Sequence, residues 1–132
     1  MRQHWLSTEP SPRVFNFTAS DATADLASRT GKLLHCHALV SPQHFPAWLS
    51  DPGANWTSEA LTEALTRHVR TVVGYYRGRC RAWDVVSGAL NEEGEYRPNV
   101  LYEVLGEEYI VVAFRVAGKW IRGRGCIMRI GD

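Results

Sequence analysis

The sequence has no apolar run approaching the ~18 residues that a membrane-crossing helix requires, so no such helix is expected. It has almost no net charge. Fifteen lysines and arginines against fourteen aspartates and glutamates leave +1, which offers no general attraction for nucleic acid or an acidic membrane. Its start, Met1-Arg2-Gln3-His4-Trp5, lacks the apolar stretch and small-residue cleavage site of a secretory signal. Secretion is therefore not encoded in the chain as given. Cysteine is scarce: Cys36, Cys80 and Cys126 stand far apart with no CxxC among them. That spacing suits neither a zinc site nor a disulfide framework. Cys36 and Cys80 fall inside apolar runs and are read as small core residues.

What is present suits one folded domain. The chain has 132 residues, 45 % hydrophobic and 22 % charged, the usage of an ordinary globular protein with enough length for a core. Residues 1–19, with Pro10 and Pro12, are expected as loop. Ser20 is placed to cap a short helix that Gly31 ends, with Asp21 against its positive end. Lys32 to Val40 is a dense apolar run, expected as a strand covered on both faces. Ser41 to Asn55, broken by Pro42, Pro46, Pro52 and Gly53, is expected as a long loop.

Ser58 to Tyr76 is the strongest helix, with Leu61, Leu65, Val69, Val72 and Val73 on one face. Glu63 and Arg67 are spaced for an i,i+4 ion pair on it. Cys80 to Val86 is a second buried strand, Asn91 to Pro98 a polar loop, and Val100 to Ala117 a helix bent or broken at Gly106. Strand, helix, strand, helix is the order of parallel βα units. Asn16-Phe17-Thr18 and Asn55-Trp56-Thr57 match the three-residue glycosylation sequon, a pattern that also arises by chance.

Several stretches together resemble glycoside hydrolase family 10. Trp5-Leu6-Ser7-Thr8-Glu9-Pro10-Ser11 is similar to that family's Lys-Trp-Asp-Ala-Thr-Glu-Pro-Ser. Gly31-Lys32-Leu33-Leu34 running into His37-Ala38-Leu39-Val40 is similar to its Gly-Lys-Leu-Val and His-Thr-Leu-Val-Trp-His, with Pro46-Ala47-Trp48 continuing the match. Trp83-Asp84-Val85-Val86 resembles its Trp-Asp-Val-Val-Asn-Glu, and Leu105-Gly106-Glu107-Glu108-Tyr109-Ile110 a later helix entry. The resemblance implies a partial (β/α)8 barrel of the α/β class, about three βα units with parallel strands. The barrel segment would occupy residues 1–117, and 118–132 would be an unmatched Arg/Gly-rich tail. The abrupt loss of likeness at that point is what a truncated or misjoined gene product would give, and an alternative splice form would look the same. The family's members are endo-1,4-β-xylanases, typically secreted, that hydrolyse xylan with retention. Xylan or xylo-oligosaccharide is therefore the implied partner, with no cofactor.

Retention requires two carboxyl groups about 5–5.5 Å apart. By the resemblance, Gly88 stands at the acid/base position, Ser87 replaces a sugar-contacting asparagine, and His4, Ser41 and Pro42 replace a lysine, a tryptophan and a histidine of the subsites. The nucleophile belongs to a later strand. No catalytic residue is therefore expected, and the implied substrate-contacting residues are His37, Trp5 and Trp48. Glu92 and Glu93, near the missing acid, are read as solvated loop charges. Trp56 is a further loop aromatic that could stack on a sugar, while Trp83 is read as core. His4, His35, His37 and His44 raise a metal site, but no metal is expected, because His35 and His37 are read as pointing to opposite faces of their strand. His35 is read as structural. Lys119, Arg122, Arg124 and Arg129 form a basic cluster in a tail expected to be disordered. Beside an inactive xylanase homologue stand two alternatives: a non-catalytic carbohydrate-binding remnant, and a chain that does not fold alone because its sheet edges are open.

Overall fold

The computed structural model of the chain describes residues 1–121 and 126–131. Three parallel strands form one sheet in sequence order: β1 (Leu34–Val40), β2 (Cys80–Ser87) and β3 (Ile127–Gly131). The register runs His37 beside Asp84 and Asp84 beside Arg129. Residues 1–3 lie parallel along the free edge of β1, through a bridge between Arg2 and His37. They exchange backbone bonds with it, His37 N–H donating to Met1 O at 2.8 Å.

The long helices cover one face of this sheet. α4 (Ser58–Tyr75) starts where Thr57 Oγ1 accepts the Ala60 N–H at 3.1 Å. It buries Leu61, Ala64, Leu65, His68, Val69, Val72 and Val73. Each of its larger apolar side chains contributes roughly 1.5–3 kcal/mol by leaving water. Asn99 caps α5 (Val100–Leu105) by accepting from the Leu101 and Tyr102 N–H groups. Gly106, at φ 64, ends α5 before α6 (Glu108–Trp120). The break expected there is present. A left-handed φ at that corner is cheap only for glycine.

The first part of the chain is more ordered than expected. Besides the edge segment there are α1 (Trp5–Thr8) and α2 (Thr18–Arg29). α2 begins before Ser20, which is buried within its first turn and does not cap it. Asp21 accepts from the hydroxyls of Tyr75 at 2.6 Å and Tyr76 at 2.9 Å, tying α2 to the end of α4. The Ser41–Asn55 segment is folded into 3-10 turns at Pro42–His44 and Pro52–Ala54 and a short helix, α3 (Ala47–Ser50).

Three further expectations are corrected. Cys36 and Cys80 are joined in a disulfide, their Cα atoms 5.8 Å apart. They are 44 residues apart in sequence, but parallel pairing makes their strands neighbours, a proximity that linear spacing does not contain. Glu63 does not pair with Arg67: its partner is Arg13 at 4.0 Å, while Arg67 turns inward to Glu9 at 3.8 Å. The tail is not wholly disordered, since α6 continues to Trp120 and Ile127–Gly131 pairs with β2. Arg122 and Arg124 of the basic cluster lie outside the described residues.

Candidate functional site

The C-terminal end of a parallel strand is where βα proteins place their chemistry. On the face of the sheet away from the long helices, β1, β2 and β3 present His35, His37, Asp84 and Arg129 together. His35 and His37 are two residues apart, so on a strand they share a face. The expectation of opposite faces is corrected. Both rings donate to one oxygen, His35 Nε2 at 2.8 Å and His37 Nδ1 at 2.7 Å from Asp84 Oδ2. Arg129 Nε stands 3.2 Å from the other oxygen, Oδ1. Burial of the carboxyl pushes its pKa up, but the His37 hydrogen bond and the charges of His35, Arg129 and His37 outweigh it, and the net shift is downward. Asp84 is therefore held as a carboxylate.

Beside this group, His4, the residue preceding α1, stacks on His44 with centroids 3.7 Å apart and meets His37 edge-on at 5.8 Å. His44 Nδ1 shares a hydrogen bond of 3.2 Å with Ser41. Desolvation, then the charges of His44, His37 and Arg2, lower the His4 pKa to about 4, so near neutral pH its ring is uncharged. Among the described residues, no group of three or more His, Cys, Asp or Glu is arranged to hold a metal ion.

Gly88 follows β2 at φ 73, and a Cβ built on it meets nothing within 4 Å. Among the described residues, the space that a side chain would first enter there is open. Glu92 and Glu93 are exposed on the loop that follows.

Of the three substrate-contacting residues expected, His37 lies on the polar face with its side chain 36 % exposed. Trp48 is half-buried, its Nε1 donating to Glu9 O at 3.0 Å. Trp5 is fully buried and offers no surface to a sugar ring, a correction to its expected role. It stacks on His68 at 4.0 Å and donates from Nε1 to Glu9 Oε1 at 3.1 Å. Trp83 is core, as expected, and Trp56 is half-buried, donating to Leu49 O at 2.9 Å.

Sequence reasoning missed the buried polar centre beneath Trp5. Glu9, fully buried, accepts from Trp5 Nε1, from the Arg13 backbone at 2.9 Å and from His68 Nδ1 at 3.0 Å. The other nitrogen of His68, Nε2, lies 3.2 Å from Leu39 O. This links the loop after α1, helix α4 and strand β1. A signal was available: His68 falls on the apolar stripe of α4, between Leu65 and Val72, where an unpartnered imidazole would be costly.

A profile of Glycosyl hydrolase family 10 matches residues 2–122. The chain belongs to glycosyl hydrolase family 10. Among similar proteins, endo-1,4-beta-xylanase A of Humicola insolens is 50 % identical over 117 residues, which is 89 % of this chain and 31 % of the relative. Endo-1,4-beta-xylanase 2 of Aureobasidium pullulans is 43 % identical over 116 residues, 88 % of this chain and 32 % of the relative. The chain thus spans about a third of the length of these family-10 relatives. In three dimensions it superposes on the native xylanase 10B of Thermotoga maritima with a TM-score of 0.88 and 34 % identity, covering 96 % of this chain and 38 % of that one. Against the family-10 xylanase of Bispora sp. MEY-1, determined with xylobiose, the TM-score is 0.88 at 34 % identity, covering 98 % of this chain and 40 % of that one. The three parallel strands and their helices are a partial family-10 barrel, as the sequence implied. The family profile ends at residue 122, whereas the structural likeness takes in nearly the whole chain, so β3 keeps the place of a barrel strand without the family's sequence.

Proposed function

We propose that this family-10 segment contacts β-1,4-xylan or xylo-oligosaccharide through the C-terminal end of β1 and does not hydrolyse it. The observation that carries this is Gly88. A retaining hydrolase needs one carboxyl to protonate the departing sugar oxygen and a second, about 5–5.5 Å away, to attack the anomeric carbon. Glycine at the first position can do neither. Asp84 is no substitute. A general acid near neutral pH needs a raised pKa, and the histidines and Arg129 lower this one. Glu92 and Glu93 stand in solvent, without the burial that raises a carboxyl pKa.

Binding rests on less machinery. With Nδ1 donating to Asp84, His37 in its neutral form keeps Nε2 as an acceptor for a sugar hydroxyl. A groove of ≈ 840 Å³ follows the same end of the sheet, lined by Phe45, Asp51, Trp56, Arg97, Asn99 and Glu103 among others. Aromatic faces beside carboxylate and amide groups are the residue types that recognise pyranose rings. Trp5 has no part in this, and Trp48 can offer only the exposed part of its ring.

Two measurements on the purified chain test the proposal. Titration calorimetry with xylo-oligosaccharides should give saturable heat that His37→Ala removes, and absence of any heat overturns the binding role. Incubation with xylan should release no reducing sugar. Release that His37→Ala abolishes overturns the non-hydrolytic reading.

A further inference from the structure

We infer that Cys126 is a resolving thiol for the Cys36–Cys80 disulfide, exchanging the clamp between β1 and β2 for one between β2 and β3. The three cysteines lie near the N-terminal ends of three neighbouring strands: Cys36 in β1, Cys80 opening β2 and Cys126 just before β3. Cys36 and Cys80 are joined, and Cys126 is a free, half-buried thiol. Its Sγ–H donates to Cys80 O at 3.4 Å. The nucleophile thus already rests against the residue it attacks.

All three side chains belong to the helix-covered face of the sheet. Leu34 and Cys36 share that face, being two apart on β1, and Cys80 pairs with Leu34. The register shift between Leu34 and His35 is what turns Cys80 away from the face of Asp84. Beyond it, Ile127 and Arg129 alternate with Cys126 and Met128, and Arg129 meets Asp84 on the polar face. Cys126 is therefore on the other face, and it packs against the core that holds Cys36 and Cys80. Ala82 pairs with Ile127, so Cys80 and Cys126 stand one strand apart and one residue out of step. A strand spacing of about 4.8 Å and a rise of about 3.3 Å put their Cα atoms about 6 Å apart. That lies within the roughly 4.4–6.8 Å that a disulfide spans.

β2 lies between β1 and β3, and this order gives the step its direction. The Cys126 thiolate, its proton lost to solvent, attacks Cys80 Sγ from the side opposite Cys36. As the Cys80–Cys126 bond forms, the Cys36–Cys80 bond breaks, and Cys36 leaves as a thiolate that takes up a proton. One disulfide and one thiol enter the step and leave it, so no oxidant or reductant is consumed. The sequence separations are nearly equal, 44 for Cys36–Cys80 and 46 for Cys80–Cys126, so loop-closure entropy favours neither pairing. Burial pushes the Cys126 thiol pKa up, although the charge of Arg81 works the other way. Thiolate is therefore scarce near neutral pH, and exchange is slow. Its result moves the clamp from the strand of His35 and His37 to that of Arg129.

Disulfide mapping of the purified, oxidised chain tests this. The chain is incubated at mildly alkaline pH without reductant, quenched in acid, unfolded and labelled with N-ethylmaleimide. Peptide mass spectrometry should then find labelled Cys36 and the Cys80–Cys126 link rising together in equal amounts. The rate should not change with protein concentration, as an internal step requires. Cys126→Ser should lose both signals completely while keeping the Cys36–Cys80 link. In the parent, label confined to Cys126 with Cys36–Cys80 as the sole link overturns the inference. A Cys126–Cys126 dimer formed in place of the internal link overturns it as well. The readout is independent of whether the chain binds xylan.

Discussion

His37 and Asp84 are bound across the β1–β2 seam, Nδ1 to Oδ2 at 2.7 Å, and the same oxygen holds His35 from the other side. One carboxylate thus orients two imidazoles on neighbouring turns of the pleat. In Asp84→Asn the anion that both rings and Arg129 face is lost. The expected cost is about 1–3 kcal/mol, from leaving polar groups at a buried site without their partner, read from urea unfolding. Asp84 has a lowered folded pKa, so its contribution is present above the unfolded value of about 4 and is lost as pH falls through the folded one. The stability of Asp84→Asn should therefore be flatter than that of the parent below about pH 4.

Two histidines act in a higher window. Burial lowers the pKa of His68 against its bonds to Glu9 and Leu39, and burial with neighbouring positive charges lowers that of His4 to about 4. An unfolded histidine binds its proton near 6.5, so between these values the unfolded chain holds more protons. Stability should rise with pH from about 4 to 6.5 and level off above. His4→Gln should reduce that slope without abolishing it, because His68 remains. A slope unchanged in His4→Gln would show that His4 takes no part.

Glu9→Ala removes the carboxylate that Trp5, His68 and Arg67 share. Breaking a buried charged network from one side costs about 3–5 kcal/mol. The expected outcome is the largest loss of any single change considered, seen as a lower urea midpoint. His68→Ala should lose less in combination with Glu9→Ala than alone, since the two act on one network.

Reduction of the Cys36–Cys80 disulfide frees a 44-residue connection in the unfolded chain. A loss of about 2–4 kcal/mol is expected, measured by urea unfolding with and without reductant. Cys36→Ala/Cys80→Ala should unfold like the reduced protein and be insensitive to reductant.

Gly88→Glu places a carboxyl at the end of β2, where space is open. Hydrolysis is still not expected, because the second carboxyl is not supplied. The left-handed φ of 73 should lower stability by about 1 kcal/mol. Release of reducing sugar from xylan by this variant would show that a nucleophile is present after all.

Periodicity alone was enough for α4, because a stripe of Leu61, Leu65, Val69, Val72 and Val73 has no other stable use. Proline, glycine and apolar density placed both central strands to within two residues. That β2 runs out into a glycine was also legible, and Gly88 follows the strand at a left-handed φ. The site itself was not. Asp84, His35, His37 and Arg129 are spread over 95 positions of the chain, and only the parallel register sets them side by side. The same holds for Cys36 with Cys80 and for Glu9 with His68, which pair across separate elements. Local pattern records which face of an element is apolar, and so determined the main helices, the first two strands and their order, though not α1, α3 or β3. Which polar side chains meet depends on how those elements cross, and that was decided by the tertiary structure alone.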